Sequence, residues 1–457
     1  MTKDNGFIDY LSCKIMRRII LTETTQIAPF NEPARDLRVQ NKPLWLWQRD
    51  ILAEYTTEER EYPNWQFAQT IENEPVECLV HRDNLFFNKE LVDEFIGRAR
   101  SGGKPVRLAF RIDDPAIVQH VKPLAGSLFR QGDLYLLDMW YLPQGVSQSV
   151  IAEPLMVDTE SRERGYYHVP PYMATEVGDL LYQLPRKAIV VVENWVHLFV
   201  ADILFGVFAH GAKVEDRINE EWRYKLKVLF RSILEQRQVL ASSTLVKIGK
   251  NVTIDPSAII HGPTTIGNNV TIGAGVVIDN CIIGNNVNIS QGCQLLLSVV
   301  SDGCFLPFRA ALFMTTMMEN TMVAQNTCLQ LCVIGRDSFI GAGTTFTDFN
   351  VLSGSMEIEG EQHASAVGGK PLQTLNKTGE LEETNLLILG GCVGHHCRLS
   401  SGLIVYPART IESDVVLLAS QERQHITRNV SYEHSDHHTH RVRYPYPRLY
   451  PRAKETS

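Results

Sequence analysis

Paired cysteines are missing from this chain. Nine cysteines are spread over 457 residues and no two stand in a CxxC arrangement, which excludes a zinc knuckle and gives no disulfide framework. A reducing, cytoplasmic setting is the expectation. Basic charge is short as well. With 44 lysines and arginines against 52 aspartates and glutamates, the formal net charge is -8, so no cationic stripe is on hand for a nucleic-acid partner. Long hydrophobic runs are also lacking. The most apolar stretch, residues 195–212, is broken by His197, Asp202 and His210 and reads as a buried amphipathic helix, with no membrane span expected. Residues 1–9 are polar and no apolar core with a cleavage site follows, so a signal peptide is not expected. What remains is a soluble, globular composition long enough for two or three domains.

What is plentiful is a period. Ile248, Ile254, Ile260, Ile266, Ile272 and Ile278 recur every six residues, and after a one-residue skip the phase resumes at Ile283, Ile289 and Leu295. Two positions before most of these sits a small residue, among them Val252, Ala258, Val270, Cys281, Val287 and Cys293. Neither a 3.6-residue period nor simple alternation produces that pattern. A coil with three flat faces does, one hexad to a face, with the aliphatic residue pointing into a narrow prism. Corners such as Gly267-Asn268-Asn269 and Gly284-Asn285-Asn286 tolerate positive φ. The phase blurs between 300 and 327, where methionines enter, and is clear again at Val333-Ile334-Gly335 and Phe339-Ile340-Gly341-Ala342-Gly343. An excursion at 353–385 interrupts it before a last run through Val393, Leu399, Val405, Ile411 and Leu417. Cysteines on small inward positions read as core residues. Coil ends need caps; the helical stretch 214–240 is expected at one end and the tail beyond 420 at the other.

The first half alternates apolar runs with helical patterns, as in an α/β domain. Arg18-Ile19-Ile20-Leu21-Thr22 is a short strand, followed by Asn41-Lys42-Pro43-Leu44 and then by Cys78-Leu79-Val80-His81-Arg82-Asp83-Asn84 leading to aromatics. This order resembles the nucleoside-diphosphate-sugar pyrophosphorylases. The resemblance implies that Lys42 touches a substrate phosphate and that Asp83 holds a magnesium ion, with Asp202 a weaker second carboxylate. The family's glycine-rich nucleotide loop is replaced by Thr22-Glu23-Thr24-Thr25-Gln26-Ile27-Ala28-Pro29-Phe30-Asn31, which offers no glycine for close approach to phosphate. Arg35 or Arg38 is left to stand in for the family's arginine.

The second half is similar to the acetyltransferase domain of the bifunctional enzymes that make UDP-N-acetylglucosamine, through Ile340-Gly341-Ala342-Gly343-Thr344 and Pro307-Phe308-Arg309. The resemblance implies an acetyl- or other acyl-coenzyme A donor and a homotrimer with acceptor sites between subunits. It also makes Arg309 a candidate for an acceptor phosphate or carboxylate. The family's base position falls here at Gln325 or Asn326, neither a base. His363 in the excursion is the candidate catalytic base, with Asp348 to orient it or bind an amine. His395 and His396, on the corner Gly394-His395-His396-Cys397, are candidate substrate contacts. The tail carries His425, His434, His437, His438 and His440 before a Tyr-Pro run and reads as an extended strap more than a metal site.

The expected fold is therefore a Rossmann-like, nucleotidyltransferase-like α/β domain at 15–212, a helical linker at 213–244, a left-handed parallel β-helix at 245–420 and a tail at 421–457. Three functions stay open: acyl transfer on the β-helix, sugar-1-phosphate nucleotidyl transfer in the first domain, and a non-catalytic binding or scaffold role. The small-molecule partner in each is a sugar phosphate or nucleotide sugar.

Overall fold

The computed structural model describes residues 16–72, 74–147, 150–168, 179–349, 355–358, 361–364, 371–440 and 446–453. Its first half is built on a mixed sheet in the order Glu153–Met156, Val106–Arg111, Leu134–Leu142, Cys78–Arg82, Met16–Leu21, Thr56–Tyr62. Met16–Leu21 runs parallel to both its neighbours, while Leu134–Leu142 is antiparallel to both of its own. Met16–Leu21 is buried along its whole length, as a strand covered on both faces must be. The helix Lys89–Gly102 packs Leu91, Val92, Phe95, Ile96 and Ala99 inward. The Asn88 side chain caps its first turn, and Gly103, at φ 60°, closes its end.

The second half is a left-handed parallel β-helix. Three parallel sheets of eight strands each run its length, one strand per coil per face. Every pairing is parallel and in register, as in Ile254↔Ile272 and Ile278↔Leu295. The interior is a continuous column of isoleucine, valine, leucine and cysteine. Each such side chain contributes roughly 1.5–3 kcal/mol on burial. Cys281, Cys293, Cys304, Cys332 and Cys397 lie inside, and burial pushes their thiols up, Cys281, Cys304 and Cys397 to about 12.

The corners divide their labour differently from the sequence expectation. At some corners asparagine takes the positive φ, with Asn251, Asn269, Asn286, Asn320 and Asn326 between 54° and 56°, while at other corners Gly275, Gly292, Gly303, Gly343 and Gly402 take it. Asn251, Asn269 and Asn286 also ladder through their amides at 3.1 Å. Gly267 and Gly284 supply space instead, since a Cβ on Gly267 would lie 2.5 Å from the Gly284 carbonyl oxygen of the next coil.

The blurred stretch 300–327 turns out to hold regular coils. Its strands Phe305–Leu306, Ala311–Phe313, Thr316–Met317 and Met322–Val323 keep register. Met314 and Met318 break the sequence phase because they face the first domain, whose core they join. That core also takes in Val299, Leu331, Val333 and Cys392, so the first domain covers one face of the prism. The other two faces stay open along most of their length.

At the first coil the cap is the turn Val239–Ala241, where the Leu240 carbonyl accepts from Gly262 N–H at 2.8 Å. At the far end His425–Ile426 pairs with Ile404–Val405 as one more strand. One helical stretch among the described residues, Trp195–Glu220, is long and apolar enough to cross a membrane, and 67% of its apolar window is buried in the protein.

Candidate functional site

The sequence-predicted residues fall into two places and a scattered remainder. The first is the end of the sheet in the α/β domain. Asp83 follows Cys78–Arg82 and is buried; it accepts from Glu23 N–H at 2.9 Å and from the Arg35 guanidinium at 3.3 Å. Arg35 also forks onto Glu61 at 3.0 and 3.2 Å. Burial raises the Asp83 carboxyl to about 6, against the pull of the Glu23 N–H and Arg35. The Glu23 carboxylate folds back onto Thr25 N–H and hydroxyl at 3.1 and 2.6 Å and pairs with Arg82. The rewritten loop thus closes on itself with a carboxylate where the family would admit phosphate. Arg35 does stand in for an arginine, but as Asp83's own partner. Among the described residues no group of three or more histidines, cysteines and carboxylates is placed to hold a metal ion. A divalent cation on Asp83 would have to displace Arg35.

Lys42 lies on the hairpin Arg38–Val39/Lys42–Pro43 and pairs with Asp50 at 2.6 Å, not with Asp83. Its neighbours Gln40 and Asn41 explain the segment's position. Gln40 donates its backbone N–H to Asp202 at 2.7 Å, and Asn41 accepts from the Ser301 hydroxyl of the β-helix at 2.7 Å. Asp202 accepts from the Thr316 hydroxyl at 2.5 Å as well. It clamps the two halves together, and burial raises its carboxyl to about 6.

The second place is the corner of the seventh coil. The His395 Nδ1 accepts from Arg336 N–H at 3.0 Å. A neutral ring therefore carries its proton on Nε2, which faces the Glu32 carboxylate at 3.4 Å. Arg336 forks onto the same Glu32 at 2.6 and 3.2 Å. Phe30 and Tyr450 flank the ring at 5.0 and 4.8 Å. His395 is wholly buried, and that burial lowers its affinity for a proton. No substrate reaches it in this arrangement. His396, at φ 54°, bonds Asp414 through Nδ1 at 2.8 Å and stacks flat on Tyr446 at 4.4 Å. The tail straps this corner: Tyr450 N–H donates to Asp414 at 2.7 Å and Arg452 clamps Glu412. Gly394 is required here by close approach, because a Cβ would lie 2.4 Å from Ser413 N and 2.7 Å from the Pro29 carbonyl oxygen. Glu32, Arg336, Glu412 and Asp414 escaped the sequence reading. Glu32 and Arg336 pair across 304 residues, and His396, Tyr450 and Arg452 lie 18 to 40 residues from the carboxylates they hold, so no local spacing announces them.

The remaining candidates are not brought together but spread along the β-helix and its excursion. Arg309 is an exposed corner residue at φ 61°, beside exposed Phe308 and above Gly292. Asp348 stands where the chain leaves the sixth coil; its backbone carbonyl accepts from Leu389 N–H at 2.7 Å, and burial raises its carboxyl. His363 lies on Glu361–Ala364, which pairs antiparallel with Ser355–Ile358 opposite Met356; its side chain is outside the described residues. The return half of the excursion docks on the first domain. Trp195 Nε1 donates to the Thr374 hydroxyl at 3.0 Å, and the Asn194 amide donates to the Leu375 carbonyl at 2.7 Å.

Fold and repeat together define the class: the chain resembles the two-domain sugar nucleotidyltransferase and left-handed β-helix acyltransferase family. The family described as bacterial transferase hexapeptide (six repeats) matches residues 245–280. Among individual relatives, the bifunctional protein GlmU of Geotalea uraniireducens is 47% identical over 57 residues, 12% of each chain. That of Synechococcus elongatus is 25% identical over 287 residues, 57% of this chain and 55% of the relative. The chain thus spans about half the length of the longer-matching relatives, and much less of the first. The solved UDP-N-acetylglucosamine acyltransferase from Campylobacter jejuni aligns over 38% of this chain and 61% of its own, at 13% identity and TM-score 0.22. That of Moraxella catarrhalis aligns over 38% and 68%, at 15% identity and TM-score 0.21. Those two likenesses are too slight to argue from.

Proposed function

We propose that this protein is an acyltransferase acting on a sugar phosphate or nucleotide sugar, with its chemistry on the β-helix of a homotrimer. The observation that carries this reading is the eight-coil prism: one face is covered by the first domain and two are open. The one long excursion leaves the sixth coil after Thr345–Phe346 and returns at Cys392–Val393. An open face and a projecting excursion suit an acceptor site shared between neighbouring copies.

The residues present fit an acyl-coenzyme A. Leu296, Phe305 and Phe308 are exposed apolar groups on the open faces. When bound, the thioester supplies the activated acyl group. The chain's own part is to hold the acceptor and take its proton. We assign His363 as the general base, Asp348 to orient it or the acceptor amine, and Arg309 to an acceptor phosphate. We read His395 as a positioning residue that fixes the seventh coil against Glu32 and Phe30 of the first domain, and His396 as one that fixes it against Asp414 and the tail's Tyr446. The nucleotidyl reading, with Lys42 on phosphate and magnesium on Asp83, is disfavoured by the Arg35–Asp83 pair and the folded-back Glu23. We read the first domain as a scaffold that buries one prism face.

Transfer of labelled acetyl from acetyl-coenzyme A to a panel of amino-sugar phosphates tests the proposal. The expected result is turnover by a trimer, with His363→Ala lowering kcat about 100-fold and leaving the assembly intact. A stable monomer, or full activity in His363→Ala, contradicts it.

A further inference from the structure

The helix Trp222–Glu235 presents two opposite stripes. Val228 and Ser232 are buried against the protein, with Tyr224 and Glu235 half-buried beside them. The opposite stripe, Trp222, Leu226, Phe230, Ile233 and Leu234, follows i, i+4, i+8, i+11 and i+12 spacing. It lies open: Trp222 and Phe230 are each 65% exposed and Ile233 is 73% exposed. Exposed Val239 and Leu240 continue the strip towards the first coil, where Ile248 and Ile259 are also exposed. A groove of about 420 Å³ there is lined by Ile248, Ile254 and Ile260.

Charge separates this surface from an ordinary protein contact. Residues 222–237 carry Arg223, Lys225, Lys227, Arg231 and Arg237 against a single acid, Glu235, in a chain whose net charge is -8. On the helical projection Arg223 and Lys227 border one edge of the apolar stripe and Lys225 the other. Arg231 pairs with Glu235. Among the described residues Arg223, Lys225 and Lys227 have no carboxylate partner. Trp, Phe and Leu on one face, with lysine and arginine along both edges, is the composition of a helix that lies in a membrane interface. The same stripe of a second copy fits less well. An isologous contact sets a patch against itself, and here it would bring unpaired cations against cations.

We propose that Trp222–Glu235 docks the protein on an anionic lipid surface, its apolar stripe entering the headgroup boundary and Arg223, Lys225 and Lys227 meeting acidic headgroups. This is an interfacial contact, not a span. It stands apart from the acyl-transfer reading and can fail without it.

The test is co-sedimentation of the full chain with vesicles of three parts phosphatidylcholine to one of phosphatidylserine, beside vesicles of phosphatidylcholine alone. Binding is expected only to the anionic vesicles, weakened steeply by salt. Lys225→Glu/Lys227→Glu should reduce partitioning at least tenfold, and Phe230→Ser/Ile233→Ser should abolish it. All four positions are exposed, so both variants should keep the far-ultraviolet spectrum of the parent. No binding to anionic vesicles, or binding that both variants retain, overturns the proposal. It is equally overturned if Phe230→Ser/Ile233→Ser leaves vesicle binding unchanged but dissociates an oligomer, because the stripe would then be a subunit contact.

Discussion

The two halves of this protein handle polar groups in opposite ways. The prism core among the described residues is aliphatic, with cysteine, methionine, alanine and one phenylalanine, and the buried hydroxyls of Thr315, Thr321, Thr327, Ser338 and Thr344 all donate to main-chain carbonyls of the next coil. The α/β domain buries Arg17, Arg18, His81, Asp83 and Asp202 and satisfies them through specific partners. Arg17 alone reaches Glu58, Glu72 and Glu74. A prism stabilised by repetition can lose one contact and keep its register. A domain held by paired charges fails where a partner is removed, since the remaining charge is stranded. The first half is therefore poorly suited to admit a magnesium ion at Asp83, which Arg35 already occupies, and the second keeps two faces uncovered by the first domain.

That contrast can be broken from several directions. The harshest is a charge inside the column: Ile289→Asp buries a carboxylate with no partner and should cost more than about 4 kcal/mol, seen as loss of cooperative thermal unfolding. Next, Gly394→Val drives a side chain into Ser413 and the Pro29 carbonyl and should cost about 3 kcal/mol. Limited proteolysis should then cut between the halves while the prism survives. Asp202→Ala strands the Gln40 N–H and the Thr316 hydroxyl and should cost about 1–3 kcal/mol in urea unfolding.

Acidity sharpens the comparison further. The Asp202 carboxyl sits near 6 in the folded chain, above the ordinary 3.8, so the folded state binds its proton more tightly than the unfolded state does. Its contribution is full below about pH 4 and is lost as pH rises through about 6. Relative to the parent, Asp202→Asn should remove a decline of roughly 1 kcal/mol per pH unit across that window. The smallest effect belongs to Arg35→Ala. Asp83 is buried but keeps the Glu23 N–H and takes up a proton near pH 6, so losing Arg35 should cost about 1 kcal/mol, and UTP with magnesium should leave the melting temperature of parent and variant alike unmoved.

The same contrast explains what could be read from sequence. The prism was legible because Ile248 through Ile278 state one structural rule six times, and the eight coils obey it. The stretch 300–327 blurred that rule because Met314 and Met318 answer to the first domain instead of to the column. The α/β character of the first half also showed in its strand and helix patterns. The interdomain contacts did not. Glu32 and Arg336 lie 304 residues apart and Asp202 and Thr316 lie 114 apart, and such pairs leave no local period. His395 and His396 looked chemical because histidine is unusual at a corner. In the fold, Phe30 and Tyr450 flank His395 and Tyr446 stacks on His396. Asp83 was recognisable as a strand-end carboxylate, but its partner Arg35 could be placed only by the fold.

The central claim is that the ligand site for chemistry lies on the β-helix and not at the end of the α/β sheet. Titration calorimetry of the full chain with acetyl-coenzyme A, and separately with UTP and magnesium, addresses it directly. Saturable binding of acetyl-coenzyme A, with no heat from the nucleotide, is the predicted result. Binding of UTP with magnesium that Asp83→Asn abolishes, with none of acetyl-coenzyme A, would contradict it.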